Sequence, residues 1–213
     1  MRKIFVTGIG TDVGKTVVCA ILCEALQADY WKPIQCGVDD KTAKTDSQIV
    51  KELVSNSKTK IHVEQYCFKN AMSPHVAAKL EVVEINIDTI KIPETNNTLI
   101  IEGAGGLMVP LNEKHLVVDL IENLNAEVII VSQSYLGSIN HTSLTCSELK
   151  RRNINVIGIV FNGKSNEESE KIILNFSGLK CIGYINEETT FTKEVVKVYS
   201  NKLLSNFQLS TFN

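Results

Sequence analysis

The sequence predicts an open α/β fold: a mainly parallel sheet with helices on both faces. Three observations predict it. Apolar runs rich in Ile and Val recur at Ile4–Thr7, Tyr30–Ile34, Thr98–Glu102, Val128–Ser132, Val156–Phe161 and Cys181–Ile185, with a weaker one at Gln65–Phe68. They lack polar alternation, as strands covered on both faces do. Between them lie stretches of helical pattern, and repeated strand–helix alternation builds such sheets. The third observation is size and composition. With 213 residues, 44% hydrophobic and 22% charged, the chain is expected to form one domain over residues 1–213 with a substantial core. Disordered, collagen-like and coiled-coil chains are excluded by the same figures.

Taken in order, the first run follows Met1-Arg2-Lys3. Basic residues before apolar ones also open a signal peptide, but this run is short and breaks at Gly8, so it reads as a strand. No apolar run reaches the roughly 18–20 residues of a membrane span, and a cytoplasmic protein is expected. Helices are expected at Lys15–Gln27, Asp46–Ser55, Pro74–Glu81, Leu116–Asn125, Ile139–Asn153, Glu167–Phe176 and Lys193–Ser205. Pro74 suits a first helical position after Ser73. Lys plus Arg number 22 and Asp plus Glu 24, for a net charge of −2. That balance argues against nucleic acid and against anionic lipid as partners.

Ligands of open α/β sheets bind beyond the carboxyl ends of the strands. The first strand ends in Gly8-Ile9-Gly10-Thr11-Asp12-Val13-Gly14-Lys15-Thr16 and leads into an apolar helix. Gly-Lys-Thr between strand and helix is the phosphate-loop signature. Glycines let backbone N–H groups turn around an anion, and the helix N-terminus adds partial positive charge. Lys15 would reach the terminal phosphates and the Thr16 hydroxyl could ligate Mg²⁺. The usual spacing would require glycine at position 9, where this chain has Ile9. A chance Gly-Lys-Thr on a structural turn is the competing reading.

Three more charged residues are candidates for the site. Glu102 closes an apolar run and precedes Gly103-Ala104-Gly105-Gly106. An acid there is costly without a partner; Mg²⁺ beside the phosphate loop, a salt bridge, or a capping role would each supply one. Asp46 opens a helix, where an N-cap role accounts for it as well as metal ligation does. Lys32, inside Tyr30-Trp31-Lys32-Pro33-Ile34, needs an anion or a carboxylate, unless it snorkels from a strand edge. Pro33 marks an edge, a bulge or the end of pairing. A lysine there could stabilise charge developing on a transferred phosphoryl group.

Six cysteines occur without a C-x-x-C pair. Cys19 and Cys23 share a helical face and read as buried, reduced thiols rather than zinc ligands. His62 and His115 lie in polar stretches and read as surface residues. His75 and His141 lack a visible triad partner.

The segments Gly8–Thr16, Lys32-Pro33-Ile34, Ser73-Pro74-His75, Glu102-Gly103-Ala104-Gly105-Gly106 and Leu136-Gly137-Ser138-Ile139-Asn140-His141, in that order, resemble the dethiobiotin synthetase family. The resemblance runs from residue 2 to about residue 186. It implies a homodimer with a seven-stranded phosphate-loop NTPase-like sheet. It also implies ATP- and Mg²⁺-dependent closure of a cyclic urea on 7,8-diaminononanoate with CO₂ or bicarbonate. Carried over residue by residue, it makes Thr11, Lys15 and Lys32 catalytic. It assigns the nucleotide to Asp12, Val13, Gly14, Lys15, Thr16, Val17, Asp46, Glu102, Gly103, Ala104, Gly105, Asn162 and Gly163. Mg²⁺ falls to Thr16, Asp46 and Glu102. Substrate falls to Thr11, Lys32, Cys36, Gly137, Ser138, Ile139 and Asn140, the last four across the dimer interface. The chain departs from the family at Cys36, often Ser or Thr, at Asp12, where some members carry Glu, and at Tyr184-Ile185-Asn186-Glu187, which lacks a proline. Asn162-Gly163-Lys164-Ser165 is not the Asn-Lys-x-Asp guanine reader, which favours ATP.

The alternative reading is a nucleotide-driven switch, like the partitioning ATPases that share this fold. Those usually carry a second lysine early in the phosphate loop, where this chain has Gly10. Many also have an amphipathic tail; Phe191–Asn213 carries Lys193, Lys197 and Lys202 on a mixed face.

Overall fold

The computed structural model describes residues 1–38 and 44–210, with side chains to 205. Most of the polar stretch Asp39–Thr45 and the end of the tail Phe191–Asn213 therefore lie outside the described residues. The strands are β1 (Lys3–Gly8), β2 (Asp29–Trp31), β3 (Ile34–Cys36), β4 (Ile61–His62), β5 (Tyr66–Phe68), β6 (Leu99–Gly106), β7 (Glu127–Gln133), β8 (Val156–Asn162) and β9 (Cys181–Ile185). The helices are α1 (Lys15–Leu26), α2 (Asp46–Leu53), α3 (Pro74–Leu80), α4 (Val117–Leu124), α5 (Ser138–Arg151), α6 (Glu167–Ser177) and α7 (Lys193–Ser210).

Seven strands form one sheet in the order β4-β2-β6-β1-β7-β8-β9, and β3 pairs with β5 in a small second sheet. All these pairings are parallel. From β1 the chain moves one way to β2, but β6, β7, β8 and β9 follow in the other direction. Parallel crossovers are right-handed, so reversing direction puts α1 on one face and α4, α5 and α6 on the other. The C-terminal α7 returns to pack on α1. The reversal occurs at β1, which makes its carboxyl end the switch point where a crevice opens.

The central strands are as buried as their composition requires. Ile4, Phe5 and Val6 of β1, Leu99, Ile100 and Ile101 of β6, and Val128 to Val131 of β7 are all 0% exposed. Helix ends follow local chemistry. Thr45 caps α2 by accepting from the Gln48 amide, while the Gln48 side chain accepts from the Thr45 amide. Asn166 caps α6, whose first turn carries Glu167, Glu168 and Glu170 against the helix dipole.

Three sequence expectations need correction. The run Tyr30–Ile34 is not one strand: Pro33 ends pairing, β2 stays in the main sheet, and β3 leaves for the small one. The weak run at Gln65–Phe68 is β5, which pairs with β3 and not with the main sheet. The seventh strand of the main sheet is β4, whose two residues are too short to show a pattern. His62 on that strand is half-buried, with Nε2 3.1 Å from Asp29 Oδ2, and is not a free surface residue. Cys19 and Cys23 are buried in the core of α1, as their shared face suggests.

Candidate functional site: a phosphate loop facing a lysine held between two acids

The loop from Gly8 to Thr16 is fixed from beneath by its own apolar residues. Val13 is 2% exposed, and a side chain on Gly8 would meet Val13 Cγ2 at 2.5 Å. Gly14 is bound more tightly still. Its φ is +92°, and an added Cβ would lie 2.2 Å from Asn162 Nδ2. Asn162, at the end of β8, donates through that nitrogen to the Val13 carbonyl at 3.0 Å. Val13 is thus buried beneath the loop, and its carbonyl is tied to a distant strand.

Lys15 is the first residue of α1 and is buried, with Nζ 3.0 Å from the Gly10 carbonyl. Burial lowers its pKa; Glu102 opposes that effect and Lys32 adds to it. The Thr16 hydroxyl donates to Glu102 Oε1 at 2.9 Å. Lys32 sits at the break between β2 and β3. Its Nζ lies 2.6 Å from Asp46 Oδ2 and 3.0 Å from Glu102 Oε1. Burial alone would lower the Lys32 pKa, but Glu102 and then Asp46 outweigh it and raise it above the ordinary lysine value. The snorkelling alternative fails, because this ammonium is 6% exposed and doubly paired.

Asp46 does not cap α2. Thr45 has that role, and Asp46 is the first helical residue, its carboxylate turned to Lys32. Glu102 is 1% exposed and accepts from Lys32, Thr16 and Tyr30. Among the described residues no three His, Cys, Asp or Glu gather as metal ligands. The oxygen set here is smaller: two carboxylates and a threonine hydroxyl around one ammonium. Hard oxygen donors in that number suit Mg²⁺, which takes one or two carboxylates and completes its shell with phosphate and water. The Lys32 ammonium already occupies the position of a shared cation between the two acids.

These residues wall an open cleft of about 760 Å³. It gathers Thr11, Asp12, Gly14, Lys15, Thr16, Lys32, Cys36, Asp46, Glu102, Ala104 and Gly105 from the sequence expectations. Burial raises the Cys36 thiol to about 11, so it lines the wall as a neutral group. Val13 and Val17 back the loop from the core side and do not line the cleft, and Gly103 packs on Phe5. Asn162 and Gly163 line a separate, small pocket with Tyr184, Ile185 and Asn186. Gly137, Ser138, Ile139 and Asn140, at the start of α5, lie outside the cleft lining. Around them Leu136 is fully exposed and Leu144 is 60% exposed. Sequence reasoning did not single out Tyr30 or Gln35. Tyr30 and Lys32 are two residues apart, a spacing that shares a strand face, and that was the available signal.

A phosphate loop at the switch point of a parallel sheet, with a threonine and two acids beside it, defines a nucleoside-triphosphate-binding α/β protein of the phosphate-loop class. The comparisons agree. A family profile described as an AAA domain matches residues 2–195. The ATP-dependent dethiobiotin synthetase of Cytophaga hutchinsonii is 55% identical over 97% of this chain and 99% of its own. That of Lawsonia intracellularis is 43% identical over 92% of this chain and 93% of its own. The chain belongs to the family of ATP-dependent dethiobiotin synthetases. Among solved structures, the septum site-determining protein MinD of Pyrococcus horikoshii, complexed with Mg-ADP, aligns with a TM-score of 0.60 at 15% identity, over 95% of this chain and 94% of its own. A ParA family ATPase of Chlorobium tepidum aligns at 0.56 and 12%, over 97% and 98%. At such identities the likeness is one of fold alone, and the switch reading has no support beyond it.

Proposed function

We propose that this protein closes the ureido ring of dethiobiotin on 7,8-diaminononanoate, using CO₂ and ATP and releasing ADP and phosphate. The observation that carries the reading is Lys32, buried between Asp46 and Glu102 at the edge of the cleft that Lys15 enters from the phosphate loop. One substrate amine takes up CO₂ as a carbamate. A carbamate oxygen attacks the γ-phosphorus and ADP leaves. The second amine attacks the carbamoyl carbon and expels phosphate. None of these steps needs a strong base, so the protein's work is positioning and charge neutralisation.

Lys15 and Lys32 would flank the carbamate and the γ-phosphoryl group, with Thr11 at the carbamate. Thr16, Asp46 and Glu102 would hold Mg²⁺, which when bound neutralises phosphate charge. Asp12, Gly14, Val17, Ala104 and Gly105 would bind the nucleotide with Lys15 and Thr16, through Val13 and Gly103 as backbone. Asn162 and Gly163 would meet the base. The amides of 137–140 would meet the substrate's tail carboxylate across a homodimer interface, which would cover the exposed Leu136 and Leu144. Residues 1–213 would act as one unit. A cytoplasmic location fits a chain in which, among the described residues, no helix is long and apolar enough to cross a membrane.

The test is product formation. With ATP, Mg²⁺, bicarbonate and 7,8-diaminononanoate, mass spectrometry should find dethiobiotin and ADP in equal amounts. A Lys32→Ala variant should make about 10³-fold less. ATP hydrolysis that ignores the diamine and yields no dethiobiotin would overturn the reading.

A further inference from the structure

The segment that carries Lys32 carries two other buried polar side chains, each reaching one of the acids that flank it. Tyr30 is 0% exposed, and its hydroxyl donates to Glu102 Oε2 at 2.8 Å. Gln35 is 5% exposed; its Oε1 accepts from the Asp46 amide at 3.1 Å and its Nε2 donates to the Cys36 carbonyl at 2.8 Å.

The two oxygens of Glu102 have different surroundings. Oε1 accepts from Lys32 and Thr16 on the cleft side. Oε2 accepts from Tyr30, which is not part of the cleft wall. A buried carboxylate with only one oxygen satisfied would turn to share both with Lys32, because an unpaired charged oxygen is expensive. The Tyr30 hydroxyl removes that incentive and keeps Oε1 facing the cleft.

Asp46 has an analogous support. Its amide is the first of α2, one of those a helix leaves without an internal partner. The Thr45 hydroxyl is engaged with the Gln48 amide. Gln35 supplies the missing acceptor from β3, which ties the start of α2 to the strand that follows Lys32.

We propose that Tyr30 and Gln35 are positioning residues that aim Glu102 and Asp46 at a cation bound in the cleft. The proposal rests on the reading that Thr16, Asp46 and Glu102 hold Mg²⁺, and goes beyond it by naming what holds the two acids in place. Tyr30→Phe removes one hydroxyl and keeps the ring. Gln35→Ala removes the acceptor for Asp46.

The experiment is calorimetric titration of ADP into wild type, Tyr30→Phe, Gln35→Ala and Glu102→Gln, once with Mg²⁺ and once with EDTA, with melting curves alongside. In EDTA, Tyr30→Phe and Gln35→Ala should bind ADP within about twofold of wild type. The gain in affinity on adding Mg²⁺ should fall about tenfold in Tyr30→Phe, and by less in Gln35→Ala. In turnover, kcat should fall with Mg²⁺ saturating while KM for the diamine holds. Undiminished Mg²⁺ gains in both variants would overturn the proposal and leave the metal reading intact. So would equal losses in the Mg²⁺ and EDTA arms with a lowered melting temperature, which mark a merely structural role. A wild type that gains nothing from Mg²⁺, matched by Glu102→Gln, would overturn the metal reading itself, and the proposal with it.

Discussion

Asp29 and Glu102 are both acids on the main sheet, on neighbouring strands, and both are 1% exposed. Asp29 opens β2 and Glu102 follows the fully buried run of β6. Their surroundings separate them. Asp29 accepts from the Thr95 hydroxyl at 2.7 Å, the Lys60 amide at 3.1 Å and the Asn97 side chain at 3.2 Å, with His62 Nε2 at 3.1 Å. That set closes around it and pins the chain before β6 and at β4 to the start of β2. Glu102 instead shares its main cation with a second acid on the wall of an open cleft. Burial of a charge is common to both. What differs is whether the partners complete a closed set or leave room for a ligand.

The sharpest way to break this contrast is to remove each charge without changing its shape. Glu102→Gln should lower dethiobiotin formation by about 10³-fold, measured by the product assay, with the protein still folded. An enzyme that retained the wild-type rate would put Glu102 in the same structural class as Asp29.

Asp29→Asn should do the reverse. Hydrogen bonds to a charged acceptor outweigh neutral ones, so the loss should cost about 2 kcal/mol. For a protein of this size that is roughly a 6 °C fall in melting temperature. Turnover at 25 °C should stay within about twofold of wild type, since the cluster lies away from the cleft. Calorimetric melting and the product assay on one preparation decide it; a large drop in turnover would show that the two acids are coupled through the sheet.

The same contrast explains what could be read in advance. The phosphate loop was legible because its chemistry is contiguous: a strand, glycines, Lys15, Thr16 and a helix in one stretch. Lys32 and Glu102 were legible as misfits, charged residues in apolar runs that had to find partners. Tyr30 was not, because a tyrosine in a strand is ordinary β-sheet composition, and its hydroxyl reveals its use only when Glu102 arrives from 72 residues away. Asp46 was ambiguous until Thr45 was seen to hold the cap. The seven α-helices among the described residues and most strands followed from the sequence pattern, but β4 has two residues and no pattern to read. The split of Tyr30–Ile34 hid for a related reason: both halves are apolar, and Pro33 shows that pairing stops without showing where the chain goes next. Asn162 meets the phosphate loop across 149 residues of sequence, a contact that only folding creates.

The smallest expected effect is a pH dependence of stability. Burial alone would raise the Asp29 pKa, but the Thr95 hydroxyl, the Lys60 amide, His62 and Asn97 outweigh it, and the carboxyl lies below its ordinary value of 3.8. A folded-state pKa below the unfolded one means that the unfolded chain binds the proton first. The stabilisation is therefore fully present above about pH 4 and is lost as pH falls through the folded-state value. Glu24, also lowered although burial opposes it, through the Ser55 and Asn56 hydrogen bonds, adds a loss of the same sign, as does Glu148, which Arg151 and Arg152 draw down to about 2. Those contributions are common to wild type and to Asp29→Asn, so the difference between the two isolates Asp29. Urea unfolding at successive pH values should show that difference shrinking as pH falls below about 4, as wild type loses its advantage. A gap that stayed constant to the acid limit would mean that the Asp29 carboxylate contributes shape and not charge to the closed cluster.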